Sequence, residues 1–408
     1  MLIAAIKLVD IAARSLFLLI ALYSLSPRAS GQFGLGITFI SLFAFFSGYE
    51  RYLDLQRDLV GRPPREVDVL VGSTLRFFAL GHVLWLAPLV LLLHHWAHLD
   101  ATAIALWAVI AIGEHLSSEA YRIALISVRH RGILLAGLAK NVVLLGVIGV
   151  LALQRKAIDL DFLLQLWALV AVFSGVASAL ILTTLMTRGS SAETLPKLSL
   201  KTQFQRSWTH FGIGLVALAS FQIDRLVAGA FMPLEESGIY FRHVFLAAAA
   251  YQAASVLSHN RIMHRLYGLV RSDEKVLARA LIRRERRRYL ALSLVVVAAA
   301  LTLDLPWAED VVRLRFLDAG LLVTLLLAYT LRGTADYNAM LLNSLFQERR
   351  IFAAQALAVG TVCALGAWLT PVYAAHGLVA AALAGAAVYV CHTWFGVARS
   401  TASASHPS

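Results

Sequence analysis

The sequence is poor in charge, in cysteine and in the short motifs of soluble enzymes. Charged residues make up 15% of the 408 residues, whereas a soluble domain has about 25%. The two cysteines, Cys363 and Cys391, both lie in apolar stretches, so we expect packing roles and no disulfide. The chain has no Gly-rich phosphate loop and no paired-cysteine motif. We therefore expect neither a cofactor nor a metal.

Long apolar runs occupy most of the chain, which is 59% hydrophobic with a mean hydropathy of +0.73. A helix needs roughly 20 apolar residues to cross the hydrocarbon of a bilayer. The sequence therefore predicts an all-α integral membrane protein with about twelve transmembrane helices. The predicted spans are Leu2–Ser26, Gly34–Leu55, Leu75–Trp96, Thr102–Val128, Ile133–Leu153, Phe162–Met186, Trp208–Met232, Ile239–Leu257, Tyr289–Leu303, Leu317–Leu342, Ile351–Pro371 and Leu378–Arg399.

Basic residues are distributed unevenly among the connections between these spans. Most of them fall in alternate connections if the N-terminus is cytoplasmic, which predicts that both termini are cytoplasmic. The net charge of +12 does not indicate nucleic-acid binding, because the basic residues flank apolar spans and form no soluble basic domain.

A short motif occurs twice, about half a chain apart. Ser30-Gly31-Gln32-Phe33 follows the first span and Ser237-Gly238-Ile239-Tyr240 follows the seventh, each with a proline upstream. Six spans separate the copies, so both halves enter the membrane in the same sense, as in transporters built from parallel repeats. We predict two six-helix lobes, residues 1–187 and 207–400, joined by a cytoplasmic linker, 188–206.

The connection between residues 258 and 288 carries a basic residue at every fourth position from Arg271 to Arg287, opposite an apolar face. This pattern predicts an amphipathic helix that binds anionic phospholipid headgroups. A solvated charged face without a ligand is the alternative.

Several charged residues fall inside the spans, where a lysine or arginine costs about 2.5–3.5 kcal/mol. Such residues face a watery cavity, pair with a partner or extend to the interface. Arg14 lies four residues from Asp10, and Arg332 four from Asp336, so each pair shares a helix face. We predict anion binding by Arg14, Arg225, Lys140, Arg122 and Arg332, with Asp10, Asp224 and Asp336 as partner acids; a structural bridge remains the alternative for each.

Two segments resemble the polysaccharide-export flippases of the Wzx type, which belong to the superfamily that also contains the MATE drug exporters and the lipid II flippase. The first is the run from Ser26 to Gly34, with the helix after it ending near Gly48-Tyr49-Glu50-Arg51. The second is Gln222-Ile223-Asp224-Arg225-Leu226-Val227-Ala228-Gly229, followed by the turn at Ser237–Tyr240.

This resemblance implies a flippase of the bacterial inner membrane. It would move an undecaprenyl-diphosphate-linked oligosaccharide outward by alternating access, for O-antigen, capsule or exopolysaccharide synthesis. Arg14 and Arg225 match the family's cationic lumen, whereas Lys140, Arg122 and Arg332 are added from position alone. Coupling to Na⁺ or H⁺ is left open. The alternatives are a cation-coupled MATE-like exporter of small molecules, and a membrane enzyme such as a polymerase or acyltransferase, against which the short outer connections argue.

Overall fold

The computed structural model describes residues 2–59, 64–124, 130–154, 158–186, 199–301 and 318–402, and every regular element in them is an α-helix. Residues 188–198, most of the predicted linker, lie outside the described residues. The chain divides into two compact units, unit 1 (Met1–Leu215) and unit 2 (Val216–Ser408), which are described separately. The predicted lobe boundaries stay a prediction.

In the part of unit 1 that the structure describes, there are seven helices and the beginning of an eighth. Its main packing pairs are α5 with α7, α1 with α6, and α2 with α4. Trp107 lies at the centre of this unit, fully buried among the rings of Phe33 and Trp167. The helices are α1 (Leu2–Ser24), α2 (Pro27–Gly48), α3 (Arg51–Leu59), α4 (Pro64–His95), α5 (Ala101–Ala124), α6 (His130–Leu153), α7 (Leu160–Met186) and α8 (Leu200–Phe231).

The described residues of unit 2 form the end of α8 and four further helices. Within it α11 is central, because it packs against α9, α10 and α12. The last helix is interrupted at Ala374, whose φ of 50° and ψ of −130° are not helical, and this break falls between the two spans predicted for the segment. The four helices are α9 (Leu234–Arg271), α10 (Lys275–Leu301), α11 (Ala319–Ser344) and α12 (Glu348–Ala402).

The duplicated sequence motif builds a similar turn in each unit. In unit 1, the Ser30 hydroxyl donates to the carbonyl of Leu22 at 2.7 Å, in the preceding helix. In unit 2, the Ser237 hydroxyl donates to the carbonyl of Ala228 at 3.3 Å, again in the preceding helix. Both serines are fully buried, so each one satisfies a helix-terminal carbonyl that water cannot reach.

The prediction of one basic helix through residues 258–288 was wrong. A turn at Ser272–Glu274 ends α9 and starts α10, and Asp273 adopts a positive φ of 57°. The Glu274 amide donates back to the Leu269 carbonyl at 2.8 Å, which closes the end of α9. The arginines before and after this turn therefore lie on two helices.

Seven of the described helices are long and apolar enough to cross a membrane, judged by length and composition. The predicted number of about twelve spans stays a prediction for the others. The seven segments are Pro27–Gly48, Val69–His95, Ala101–Ile123, Arg131–Leu153, Leu160–Leu182, His210–Phe231 and Glu348–Arg399.

Candidate functional site

A buried ionic cluster in unit 1 is centred on Glu114 of α5. The Lys140 ammonium of α6 donates to both carboxylate oxygens at 2.7 Å, and the Trp167 indole donates to one of them at 2.9 Å. Arg14 of α1 approaches the same carboxylate at 3.9 Å. One acid thus links four helices inside an apolar unit, and only its pairing makes this charge tolerable.

The predicted site residues of α1 and α6 differ in their burial and in their hydrogen-bond partners. Asp10 accepts a hydrogen bond from the Asn141 amide at 2.7 Å, and both are buried. The side chain of Lys140 is 6% exposed, whereas that of Arg14 is 49% exposed. Lys140 and Asp10 therefore join helices, and Arg14 is the more exposed of the two cations beside Glu114.

Arg122 belongs to a different group, at the end of α5. It donates to Glu119 at 2.6 Å, and its guanidinium lies 4.1 Å from the centre of the Tyr52 ring. Burial raises the pKa of the Tyr52 hydroxyl to about 12. Burial also raises the pKa of Glu50, although Arg122 opposes this effect.

Asp224 and Arg225, adjacent residues of α8, have different partners in unit 2. Asp224 accepts a 2.6 Å hydrogen bond from Tyr240, while Arg225 donates to Gln222 at 3.1 Å and lies over the Phe245 ring. Arg225 is 8% exposed, and both of these partners, Gln222 and Phe245, belong to unit 2. These contacts restrain α8 against α9, and they use part of the hydrogen-bonding capacity of both charged groups.

Arg332 and Asp336, four residues apart on α11, also have separate partners. Arg332 donates to the carbonyl of Ser220 and lies 3.3 Å from the centre of the Phe221 ring. Its Nε and Nη2 atoms are buried, and neither has a hydrogen-bond partner among the described residues. Asp336 accepts from two tyrosines, Tyr251 and, at 3.2 Å, Tyr389.

A cavity of about 60 Å³ within unit 2 is lined by residues of α8, α11 and α12, among them Arg332 and Asp224. A single water needs about 10–15 Å³, so the cavity has room for several waters or one small polar group. Among the described residues of its lining, Arg332 is the only basic side chain, and most of the others are apolar residues of α11 and α12. Its other polar lining residues are Ser220, Asp224, Tyr329 and Tyr389.

A larger cavity of about 280 Å³ lies among α9, α10 and α11 of the same unit, and Tyr329 lines both. Tyr251, Tyr289 and Ser293 are its main polar residues, and the remainder of its lining is mostly alanine, leucine and valine. Tyr251 thus connects this cavity to Asp336 through its hydroxyl.

The eight predicted site residues fall at several places in the two units. Lys140 and Arg14 approach Glu114, Asp10 binds Asn141 of α6, Arg122 lies beside Glu119, and Asp224, Arg225, Arg332 and Asp336 lie in unit 2. The tyrosines of unit 2 and the imidazole pair His82–His115 were missed. The sequence signal for the tyrosines is a polar aromatic residue inside an apolar helix that also carries an acid.

Solved structures of transporters are similar to this chain along almost its whole length. A lipid II flippase, MurJ, in an inward closed conformation has a TM-score of 0.71 at 12% identity, covering 96% of this chain and 87% of the flippase. An inward-facing MATE family multidrug transporter of the MOP superfamily has a TM-score of 0.68 at 12% identity, covering 97% and 95%. An outward-facing structure of such a transporter has a TM-score of 0.53 at 14% identity, covering 98% and 95%.

No protein-family model and no curated protein matches the sequence. At these identities the structural likeness concerns the fold. The apolar helices and this likeness together indicate a multi-pass membrane protein. The chain therefore has the fold shared by the lipid II flippase and the MATE multidrug transporters of the MOP superfamily.

Proposed function

We propose that the chain is a flippase for a polyprenyl-diphosphate-linked oligosaccharide, with undecaprenyl as the expected lipid. The observation that carries this proposal concerns Arg332. This cation lines a cavity of the apolar unit 2, and two of its donor atoms have no hydrogen-bond partner among the residues that the structure describes. In a fold shared with a lipid II flippase, an arginine of this kind is suited to a translocated anionic headgroup.

The chemistry of arginine favours a phosphate over other acceptors. Its guanidinium offers donors in a planar fork that matches phosphate oxygens, and it stays charged when buried. The Ser220 carbonyl and the Phe221 ring already fix the Arg332 plane, so little side-chain freedom is lost on binding. Arg14, half-exposed in unit 1, is the second reachable cation.

The other polar groups of the unit 2 cavity suit a sugar. Asp224 and the tyrosines Tyr329 and Tyr389 line the cavity beside Arg332. Carboxylates and phenolic hydroxyls accept and donate hydrogen bonds to sugar hydroxyls, and aromatic rings pack against the apolar face of a sugar ring. We propose that these groups contact the diphosphate and the first sugar in a wider state of the cavity, because its volume of about 60 Å³ admits only one small polar group.

The remaining parts of the proposal concern location and partners. We place the protein in the bacterial inner membrane with both termini cytoplasmic, where the precursors of O-antigen, capsule or exopolysaccharide are made. The basic residues around the turn at Ser272–Glu274 are proposed to contact anionic phospholipid headgroups. Arg271, Arg279, Arg283 and Arg287 are available for this role at the surface, each contributing about 1 kcal/mol near a charged membrane.

The test is direct binding of a short-chain polyprenyl diphosphate to the purified protein, measured by calorimetry. Arg332→Gln removes the charge and should weaken binding at least ~10-fold. Arg332→Lys keeps the charge but loses the planar pair of donors, so its affinity should lie between those of Arg332→Gln and the wild type. Arg28→Gln, at an exposed position in the first turn of α2, is the matched control. Equal affinity in all four proteins would remove Arg332 from headgroup recognition.

A cation-coupled exporter of small molecules is the second candidate. The specific observation in its favour is the acidic and aromatic character of unit 2, where Asp224 and Asp336 accept hydrogen bonds from Tyr240, Tyr251 and Tyr389. A cationic drug would suit such a surface. Binding of a lipophilic cation that is abolished in Asp224→Asn but retained in Arg332→Gln would favour this candidate over the flippase.

A further inference from the structure

Two histidines in unit 1 are hydrogen-bonded to each other inside the apolar helices. His82 Nε2 of α4 lies 2.7 Å from His115 Nδ1 of α5, so the N–H group of one imidazole donates a hydrogen bond to the other ring. His82 stands at the centre of the apolar segment Val69–His95. Direct bonds between imidazoles are an economical way to pass a proton, since each ring has one donor and one acceptor nitrogen.

The chain of titratable groups continues from His115 toward one end of α5. The Nε2 atom of His115 lies 4.0 Å from Glu119 Oε1, and both His115 Nε2 and Glu119 Oε2 are buried without a hydrogen-bond partner among the described residues. His115 is eight positions and Glu119 four positions before Ile123, where the apolar segment ends. With about 1.5 Å of rise per residue, the groups extend from mid-depth to one face.

Apolar and aromatic neighbours isolate the two imidazoles from other partners. The Phe43 ring stacks on His82 at 5.5 Å, and the Phe78 ring meets His115 edge-on at 5.2 Å. On the α2 side, Gly48 leaves the space that His115 occupies, because a Cβ there would lie 2.9 Å from its Nε2. Among the described contacts of the two rings, Glu119 is the acid placed to balance the charge of an added proton.

The other titratable groups near this line lie beyond Glu119. Arg122 pairs with Glu119 at 2.6 Å. Glu50 lies beside Tyr52 at the turn after α2, and it also interacts electrostatically with His210 of α8. Glu114, next to His115 in sequence, is bound to Lys140 and Arg14. The only acid on α7 is Asp161, in its first turn.

We propose that His82, His115 and Glu119 form a proton-binding site, reached from the face where Glu50 lies. An added proton binds Nε2 of His115, and the resulting imidazolium is balanced by the Glu119 carboxylate. His115 then shares its Nδ1 proton with Nε2 of His82 across the 2.7 Å hydrogen bond, which spreads the positive charge over both rings. The proton leaves by the way it entered, from Nε2 of His115, so the site takes up one proton and releases one proton.

This geometry is suited to a proton and unsuited to a metal. The nitrogens that a metal would use are turned toward each other in a hydrogen bond, and the described residues contain no group of three candidate ligands. The 4.0 Å gap between His115 and Glu119 lets a small side-chain movement make or break the path. The coupling of this proton to transport rests on the proposed function, whereas the proton site itself does not.

Nitrogen NMR of the full-length protein with ¹⁵N-labelled histidine tests the site without any substrate. The signals lost in His82→Gln and in His115→Gln assign the two rings. In the wild type we expect the two rings to titrate as a coupled pair, and His82→Gln or Glu119→Gln to move the His115 midpoint by about one pH unit or more. His376→Gln, at an exposed histidine of α12, should leave both midpoints unchanged.

Two rings that titrate independently, or that do not titrate while the protein stays folded, would overturn the proposal. A second experiment separates it from the proposed function. In proteoliposomes with a pH gradient, wild-type polyprenyl-diphosphate movement should be accelerated, and His115→Gln should lose the acceleration while retaining gradient-independent movement. A coupled pair without any lipid movement refutes the flippase alone; lipid movement with independent rings refutes the proton site alone.

Discussion

Replacing either partner of the Glu114–Lys140 ion pair should destabilise unit 1 strongly and unequally. Removing one partner of a buried ion pair costs about 3–5 kcal/mol, because the other charge is left uncompensated. Glu114→Gln leaves the ammonium of Lys140, which is 6% exposed, without an anion, so we expect the full loss. Lys140→Met leaves Glu114 with Arg14 at 3.9 Å and with the Trp167 indole, so we expect only about 2–3 kcal/mol.

The double variant Glu114→Gln/Lys140→Met removes both charges at once. It should be less destabilised than the sum of the single variants by about 2 kcal/mol or more, the coupling expected for groups in contact. The assay is reversible unfolding of the purified protein in detergent, followed by tryptophan fluorescence. Additive effects would refute the pairing of Lys140 with Glu114. A Lys140→Met variant less stable than Glu114→Gln would show that Arg14 does not compensate the charge of Glu114.

Three further variants test other contacts by the same unfolding assay. Tyr240→Phe should lower the free energy of unfolding by about 1–3 kcal/mol, because Asp224 loses a buried hydrogen bond of 2.6 Å; an unchanged value contradicts that bond. Gly48→Ala should cost about 1–3 kcal/mol through overpacking against His115, and a neutral effect would mean that the site has spare room. Burial raises the pKa of Glu50 above its usual 4.5, so the protonated form is favoured by folding, and its stabilising contribution is lost as pH rises through the folded pKa. Wild-type stability should therefore fall more steeply than that of Glu50→Gln as pH rises above about 4.5, and parallel curves would contradict this sign.

The helical architecture could be predicted because it depends on local patterns. Apolar runs of sufficient length indicate spans, and the repeated motif around Ser30 and Ser237 marks two turns with the same serine-to-carbonyl bond. The break in α12 could be located between two predicted spans for the same reason. By contrast, the regular spacing of basic residues could not reveal the turn at Asp273, because a spacing of four residues does not indicate where a helix ends.

The partners within the candidate site could not be predicted, because they lie on different helices. Spacing within one helix suggested an Arg332–Asp336 pair, yet Arg332 contacts α8, and Asp336 contacts α9 and α12. Lys140 pairs with Glu114, 26 positions away, and His82 pairs with His115, 33 positions away. A hydropathy profile identifies buried charge as costly, but tertiary packing decides which charges meet.

Arg332 is the residue that we propose to bind the lipid-linked phosphate. The most direct test of this role is translocation of a fluorescent short-chain polyprenyl-diphosphate saccharide by the purified protein in liposomes, with accessibility to a membrane-impermeant quencher as the readout. We predict translocation by the wild type and by Arg28→Gln, slowed at least ~10-fold in Arg332→Gln, and little movement of a phosphate-free glycolipid of the same chain length. Equal rates for the phosphorylated and phosphate-free lipids, unaffected by Arg332→Gln, would contradict the account.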